Sequence, residues 1–355
     1  MAEWTFWISL AFASYVYCGY PLVLLVWQRL APWPVEKAPW EPDVTLVIAA
    51  YNEKRNMRQK LLNCLSLDYP RERLQVIVSL DGSTDGTDIL AIMAASQGIH
   101  VMYSPRHKGK AAAINSAVQN ARGTVLIFMD ARQTLNRNVI RELTANFSDP
   151  AVGAVSGELV LVDDGGAEAR NGIGLYWKYE KFIRMSESRI HSVAGATGAI
   201  YAIRRECFRE LPEDTILDDV VLPMSIVLSG KRVVMDPAAR AFDRAAEDPK
   251  VEFGRKVRTL TGNFQLLSFM PELLFPWRNP IFIQFISHKV ARLLCPYMLA
   301  GLFISNLFLR HGPYLITLVL QLIWYGLAIA GYFAWSGSPT VIPQAAGKRK
   351  IASHL

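Results

Sequence analysis

Apolar residues in this chain come in runs of two lengths, and each length predicts a different element. The short runs alternate with amphipathic stretches. "VTLVIAAYNE", from Val44, reads as a strand entering a polar loop, and residues 56–67 follow with helical character. "LQVIVSLDGSTDGT" is a second strand, followed by a helix at 87–96 and the short strand "IHVMYS". "KAAAINSAVQNAR" is alanine-rich and helical, and "TVLIFMDA" is a strand apolar on both faces that ends on Asp130. Strand–helix alternation of this kind predicts an α/β fold with a mostly parallel sheet covered on both faces. Ligands in such sheets bind beyond the carboxyl ends of the strands. Tyr51, Asn52 and Glu53, then Asp81, then Asp130 all fall at such ends. The second half is less regular. "AVGAVSGELVLV" reads as a strand, 170–188 as a helix, "GATGAIYAIRR" as a glycine-rich turn entering a strand, and 214–219 as a loop before a helix.

The long runs span 4–27, 293–309 and 314–335, and the first contains no charge. Each is long enough to cross about 30 Å of hydrocarbon as a helix. The first run follows an acidic start, Glu3, and is longer than a signal-peptide core, so it reads as an uncleaved anchor. Arg29 and Lys37 follow it; His288, Lys289 and Arg292 precede the second run; Lys348, Arg349 and Lys350 follow the third. By the positive-inside rule these groups lie in the cytoplasm, opposite a loop with Arg310 and His311. The expected organisation is an anchor at 1–30, a cytoplasmic domain at 31–270 that opens on a proline-rich linker, an interfacial amphipathic segment at 271–292, two spans within 293–336, and a cytoplasmic tail at 337–355.

Composition sharpens this picture. Apolar residues make up 51% of the 355, and the net charge is +7. The positive-inside bias and attraction to anionic lipid headgroups account for that charge. No basic-aromatic nucleic-acid module is present, so a nucleic-acid partner is not expected. Four cysteines without CxxC spacing argue against a disulfide framework or a zinc site.

The candidate chemistry lies in acids that end strands or loops: Asp81 in "DGSTDGT", Asp130 in "DAR", and Asp218 with Asp219 in "DTILDD". Clustered carboxylates can hold a divalent ion through hard oxygens, and one can serve as a general base. Lys108 and Lys110 flank Gly109 at a helix start, where unpaired N–H groups favour anions.

With "AAYNE", "DGSTDGT", "GKAAAIN", "DAR" and "DTILDD" in this order, the chain resembles the membrane-integrated inverting glycosyltransferases of family 2, related to cellulose, chitin and hyaluronan synthases. The resemblance implies a GT-A domain that takes a UDP-sugar with a divalent cation, Mg2+ or Mn2+, at the bacterial cytoplasmic membrane. It implies that Tyr51, Asn52, Glu53 and Asp81 hold the nucleoside, that Lys110 approaches the nucleotide, and that Asp130 heads the metal-binding Asp-x-Asp. Asp219 takes the place of the catalytic base and Asp218 that of its neighbour. Arg255 and Arg258 stand in the position of Gln-x-x-Arg-Trp, and Gly195, Thr197 and Gly198 line the acceptor side. The chain departs from that pattern in two places. Arg132 replaces the second Asp of Asp-x-Asp, which removes one metal ligand and offers a guanidinium suited to phosphate. Arg255 and Thr259 replace Gln and Trp, which argues against long-chain processivity. The expected function is transfer of a hexose or N-acetylhexosamine to a lipid-linked or polysaccharide acceptor, alongside other polysaccharide-assembly proteins. A processive synthase and a catalytically degenerate scaffold are the alternatives.

Overall fold

The computed structural model describes residues 1–162, 173–244, 249–309 and 311–336. In chain order the elements are α1 (Ala2–Ser14), α2 (Tyr20–Leu30), β1 (Val44–Ala50), α3 (Lys54–Leu65), β2 (Leu74–Asp81), α4 (Thr87–Met93), β3 (Ile99–Ser104), α5 (Lys110–Gln119), β4 (Val125–Asp130) and β5 (Thr134–Leu135). There follow α6 (Val139–Ala145), β6 (Val152–Val162), α7 (Ile173–Ile190), β7 (Ile200–Arg204), α8 (Asp218–Leu228), β8 (Arg232–Arg244), α9 (Pro249–Phe269), α10 (Phe282–Phe285), α11 (Ala291–Leu307) and α12 (Pro313–Ser336). The start of the helix expected at 170–188, Arg310, and the tail at 337–355 with its basic triplet lie outside the described residues.

The sheet has the order β3-β2-β1-β4-β7-β6-β8-β5. β3, β2, β1 and β4 are parallel, as the alternation predicts, and β7 enters antiparallel between β4 and β6. The apolar runs are buried on both faces. Val125, Ile127 and Met129 of β4 join one core with Met57 and Leu61 of α3 and Val139 and Leu143 of α6. Leu126 and Phe128 join the other, with Ile114 and Val118 of α5 and Met224 and Val227 of α8. Period-two alternation splits the strand between the layers. The three parallel strands β1, β2 and β4 therefore end together, and their polar loops meet at one rim.

Among the described residues, three helical stretches are long and apolar enough to cross a membrane: Ala2–Leu30, Phe282–Leu307 and Pro313–Phe333. Ala2–Leu30 and Phe282–Leu307 each contain a π-helical turn, at Tyr15–Gly19 and Ile286–Val290. The second stretch starts eleven residues before the apolar run at 293, because the π turn carries His288 and Lys289 without breaking the helix. The segment expected to lie at the interface, 271–292, is thus divided between a 3-10 turn, Pro271–Leu274, and the start of that long helix. Exposed apolar side chains begin earlier, on α9. Phe253, Val257, Leu260 and Phe264 form a stripe at helical spacing, and the exposed Trp277 follows. α2 docks onto α7 through Tyr20 and Leu24 against Ile183 and Ile190, and α1 packs against α11 through Phe6 and Leu302.

Candidate active site

Two interlocked loops form one side of the rim. Asn52 adopts a left-handed backbone, φ 54°, which lets its Oδ1 accept from the Thr84 N–H at 2.8 Å while its own N–H donates to Ser83 Oγ at 3.1 Å. The Glu53 N–H donates to Thr87 Oγ1 at 2.8 Å, and the Lys54 N–H to Asp85 Oδ2 at 3.0 Å. Tyr51 stacks on His107, with ring centroids 4.0 Å apart and planes 24° from parallel.

Asp81 shapes the next loop. It is buried, and its carboxylate accepts from the backbone N–H groups of Lys108 (2.7 Å) and Gly109 (2.9 Å), with His107 Nδ1 2.7 Å from Oδ2. Both oxygens thus hold the turn that delivers Lys110 to the start of α5.

Lys110 joins the acids. Its Nζ lies 2.8 Å from Asp130 Oδ1 and 3.0 Å from Asp218 Oδ1. Tyr201 OH donates to the other oxygen of Asp218 at 2.9 Å, so Asp218 is buried with both oxygens engaged. Desolvation alone would raise the Asp130 carboxyl, but the Lys110 ammonium holds it below the usual carboxylate range. The same two acids raise the Lys110 ammonium, against the desolvation that lowers it.

Asp219 differs from its neighbour. The 214–219 segment is a loop only as far as Leu217, and Asp218 and Asp219 open α8. The Asp219 peptide oxygen accepts from the Ala196 N–H at 2.7 Å. Its half-buried carboxylate has no hydrogen-bond partner among the described residues. Desolvation and the adjacent Asp218 push its pKa up to about 6, with Lys110 and Lys289 pulling the other way.

The glycine-rich turn closes over this acid. A Cβ at Gly198 would stand 2.8 Å from Asp219 Oδ2. Gly195 has φ +127°, and its carbonyl accepts from Arg184 Nη2 at 3.2 Å, while Thr197 Oγ1 accepts from Arg184 Nη1 at 2.6 Å.

Three predicted arginines have protein partners. Arg132 is gripped by both oxygens of Asp243, Nε to Oδ1 at 3.1 Å and Nη2 to Oδ2 at 2.7 Å; its field still reaches Asp130. Arg258 Nη2 donates to the Ile216 carbonyl at 3.1 Å, bracing the loop before Asp218. Arg255 faces Glu252 at 3.9 Å. Among the described residues no three His, Cys, Asp or Glu side chains converge as a metal cage. A divalent ion held by Asp130 would take its remaining ligands from diphosphate and water, an arrangement Mg2+ accepts.

Sequence reasoning missed His107, Arg184, Tyr201 and Asp243. The alternation of β7 could have flagged Tyr201, since its register sets residue 201 on the face that receives α8. No local signal pairs Arg132 with Asp243, 111 positions away.

Residues 45–212 match the family described as glycosyl transferase family 2. A probable glycosyltransferase of Bacillus subtilis (strain 168), YdaM, is 25% identical over 277 residues, covering 75% of this chain and 66% of the relative. A poly-β-1,6-N-acetyl-D-glucosamine synthase of Staphylococcus aureus (strain COL) is 24% identical over 254 residues, covering 69% and 61%. The chain therefore spans between 61% and 66% of the length of these curated relatives. Among solved structures, the mannosyltransferase PcManGT from Pyrobaculum calidifontis, in complex with GDP-Man and Mn2+, has a TM-score of 0.72 at 23% identity and covers 94% of both chains. S. aureus TarS 1–349, in complex with UDP-GlcNAc, has a TM-score of 0.50 at 14% identity, covering 76% of this chain and 81% of that one. The mostly parallel sheet matches the GT-A expectation, and the five loops occupy one rim within or just beyond the matched span: residues 45–212 of this chain form a glycosyl transferase family 2 domain.

Proposed function

We propose that this protein is a membrane-anchored inverting glycosyltransferase that moves a hexose or N-acetylhexosamine from a UDP-sugar to a lipid-linked or polysaccharide acceptor in bacterial envelope or exopolysaccharide synthesis. The observation that carries the reading is Asp219: a carboxylate without a hydrogen-bond partner among the described residues, with a pKa near 6, beside a Lys110 bridge that engages Asp130 and Asp218. A base works best when its pKa lies near the working pH. Asp219 takes the proton of the acceptor hydroxyl. The freed oxygen attacks the anomeric carbon, and the bond to the diphosphate breaks on the opposite face, its electron pair leaving with UDP. Tyr51 on His107 presents an aromatic face at the rim to the donor base. Lys110 brings positive charge toward the diphosphate. A divalent cation bound by Asp130 and the diphosphate would neutralise leaving-group charge.

The GlcNAc-polymer synthase among the relatives and the UDP-GlcNAc complex of TarS support a UDP donor. The PcManGT complex keeps GDP-mannose as the competing donor. The synthase relative also favours a second reading, processive polymerisation, against which the loss of Gln-x-x-Arg-Trp stands. The test is nucleotide release by the full chain in lipid nanodiscs, with UDP-N-acetylglucosamine, UDP-glucose and GDP-mannose and bacterial lipid extract as acceptor. UDP release that depends on the extract is expected, and analysis of product length separates single addition from polymerisation. No turnover with any donor would sink the reading, and release from GDP-mannose alone would replace the donor.

A further inference from the structure

The turn that closes over Asp219 is held from behind by a cation that makes no ion pair among the described residues. Arg184 of α7 donates to Thr197 Oγ1 (2.6 Å), Ser156 Oγ (2.9 Å) and the Gly195 carbonyl (3.2 Å), all neutral acceptors. A second such cation stands close to it. Lys289 is half-buried in the π-helical turn Ile286–Val290, and among the described residues its ammonium has no hydrogen bond or ion pair. Lys289 lies within electrostatic range of Arg184 and of Asp219.

Apart from Asp219, the carboxylates that act on these two cations are already engaged. Glu180 receives His288 Nε2 at 2.8 Å and Arg292 Nη1 at 2.7 Å. Glu187 receives His288 Nδ1 at 2.8 Å and Tyr20 OH at 2.5 Å. Glu158 is paired with Lys181 at 2.5 Å. Residues 180, 184 and 187 share one face of α7, and the His288 bridge fixes the π turn against that face. Partial burial of two cations that share only one open carboxylate, Asp219, leaves an excess of positive charge that a further anion would offset. The place is also distinctive: the turn lies near the start of a helix long and apolar enough to cross a membrane, Phe282–Leu307.

We propose that Lys289 and Arg184 form a receiving site for the phosphate groups of a membrane-embedded, diphosphate-linked acceptor. The lipid tail runs along the apolar helices, and the sugar beyond the diphosphate reaches Asp219. The proposal rests on the transferase reading above and names how its acceptor is recognised. Phosphate on a polyprenyl tail and free phosphate share this chemistry, so the test separates them.

The full chain is placed in phosphatidylcholine nanodiscs and titrated with farnesyl diphosphate, farnesol and inorganic pyrophosphate, with UDP binding measured in parallel. Farnesyl diphosphate is expected to bind at least roughly tenfold more tightly than either farnesol or pyrophosphate, because charge and tail both contribute. Lys289→Gln should weaken farnesyl diphosphate roughly tenfold or more, as loss of a charged hydrogen-bond donor does. Lys289→Arg should restore most of it, and UDP affinity should stay within about twofold in both variants. Unchanged farnesyl diphosphate affinity in Lys289→Gln overturns the proposal. So does pyrophosphate binding as tightly as farnesyl diphosphate, which would mark a soluble-anion site. Equal displacement by phosphatidylglycerol doped into the disc also overturns it, by assigning the site to a bulk lipid headgroup. Farnesyl diphosphate binding that depends on Lys289 in a protein that turns over no nucleotide sugar would instead sink the transferase reading and leave this site standing.

Discussion

At the scale of single residues, the adjacent acids Asp218 and Asp219 are separated by their surroundings. Asp218 is locked by Lys110 and Tyr201, whereas Asp219 keeps its oxygens open. Asp219→Asn is therefore expected to cut transfer by roughly a hundredfold or more while leaving donor affinity within a few-fold, the mark of an interaction made in the transition state. The same substitution should stabilise the fold. The folded chain holds the Asp219 proton up to about pH 6, against 3.8 for the ordinary side chain. Its raised pKa thus contributes stability that is present in acid and lost as pH rises from about 4 through about 6. Thermal unfolding should show Asp219→Asn above the wild type at pH 7 and level with it near pH 4; a lower melting point at pH 7 would contradict the assignment. Activity should fall on the acid side with an apparent pKa near 6, and Asp218→Asn, which removes a neighbouring negative charge, should move that limb to lower pH. Asp130→Asn should weaken the divalent-ion dependence of UDP binding, because a carboxylate ligand loses its charge. Metal titrations that do not change in this variant would make Asp130 a partner of Lys110 only.

At the scale of elements, the strand ends were legible and the use made of each acid was not. Period-two apolar runs place Asp81 and Asp130 at carboxyl ends, and β2 and β4 deliver them there. Yet Asp81 points its oxygens at the backbone of the 107–109 turn, a partner no local pattern announces. Gly82 makes that close approach feasible. It has φ +67°, and a Cβ would stand 2.5 Å from the His107 backbone nitrogen. Gly82→Ala should destabilise the protein by about 1–3 kcal/mol and weaken UDP binding as the loop shifts. Gly98→Ala provides the control: Gly98 has φ +86° with nothing within 4 Å, so only backbone strain applies. Denaturant unfolding and UDP titration of the pair check this, and equal effects would show that the tight approach at Gly82 is unimportant.

At the scale of the whole molecule, the apolar helices and the exposed stripe on α9 together suggest a domain held against a membrane. The charge bias predicts that this domain faces the cytoplasm. A cysteine placed at the exposed Glu36, in a Cys18→Ser background, should resist a membrane-impermeant maleimide in intact cells and react after permeabilisation. Ready labelling in intact cells would reverse the topology.

The sequence by itself determined the α/β alternation, the three apolar helices and the rim on which the acids gather, because these depend on residue periodicity and run length within short windows. It also carried the resemblance to family 2 glycosyltransferases, through five loops in a set order. Only the tertiary structure decided which acid stays free. That choice depends on partners far along the chain: Tyr201 on Asp218, Asp243 on Arg132, and Arg184 beneath the turn that closes on Asp219. It likewise carried the second apolar helix back to Phe282, since His288 and Arg292 are tolerable inside it only where Glu180 and Glu187 of α7 meet them. Periodicity records which face of an element is buried; pairing between distant elements fixes which charges are satisfied, and therefore which remain available for chemistry.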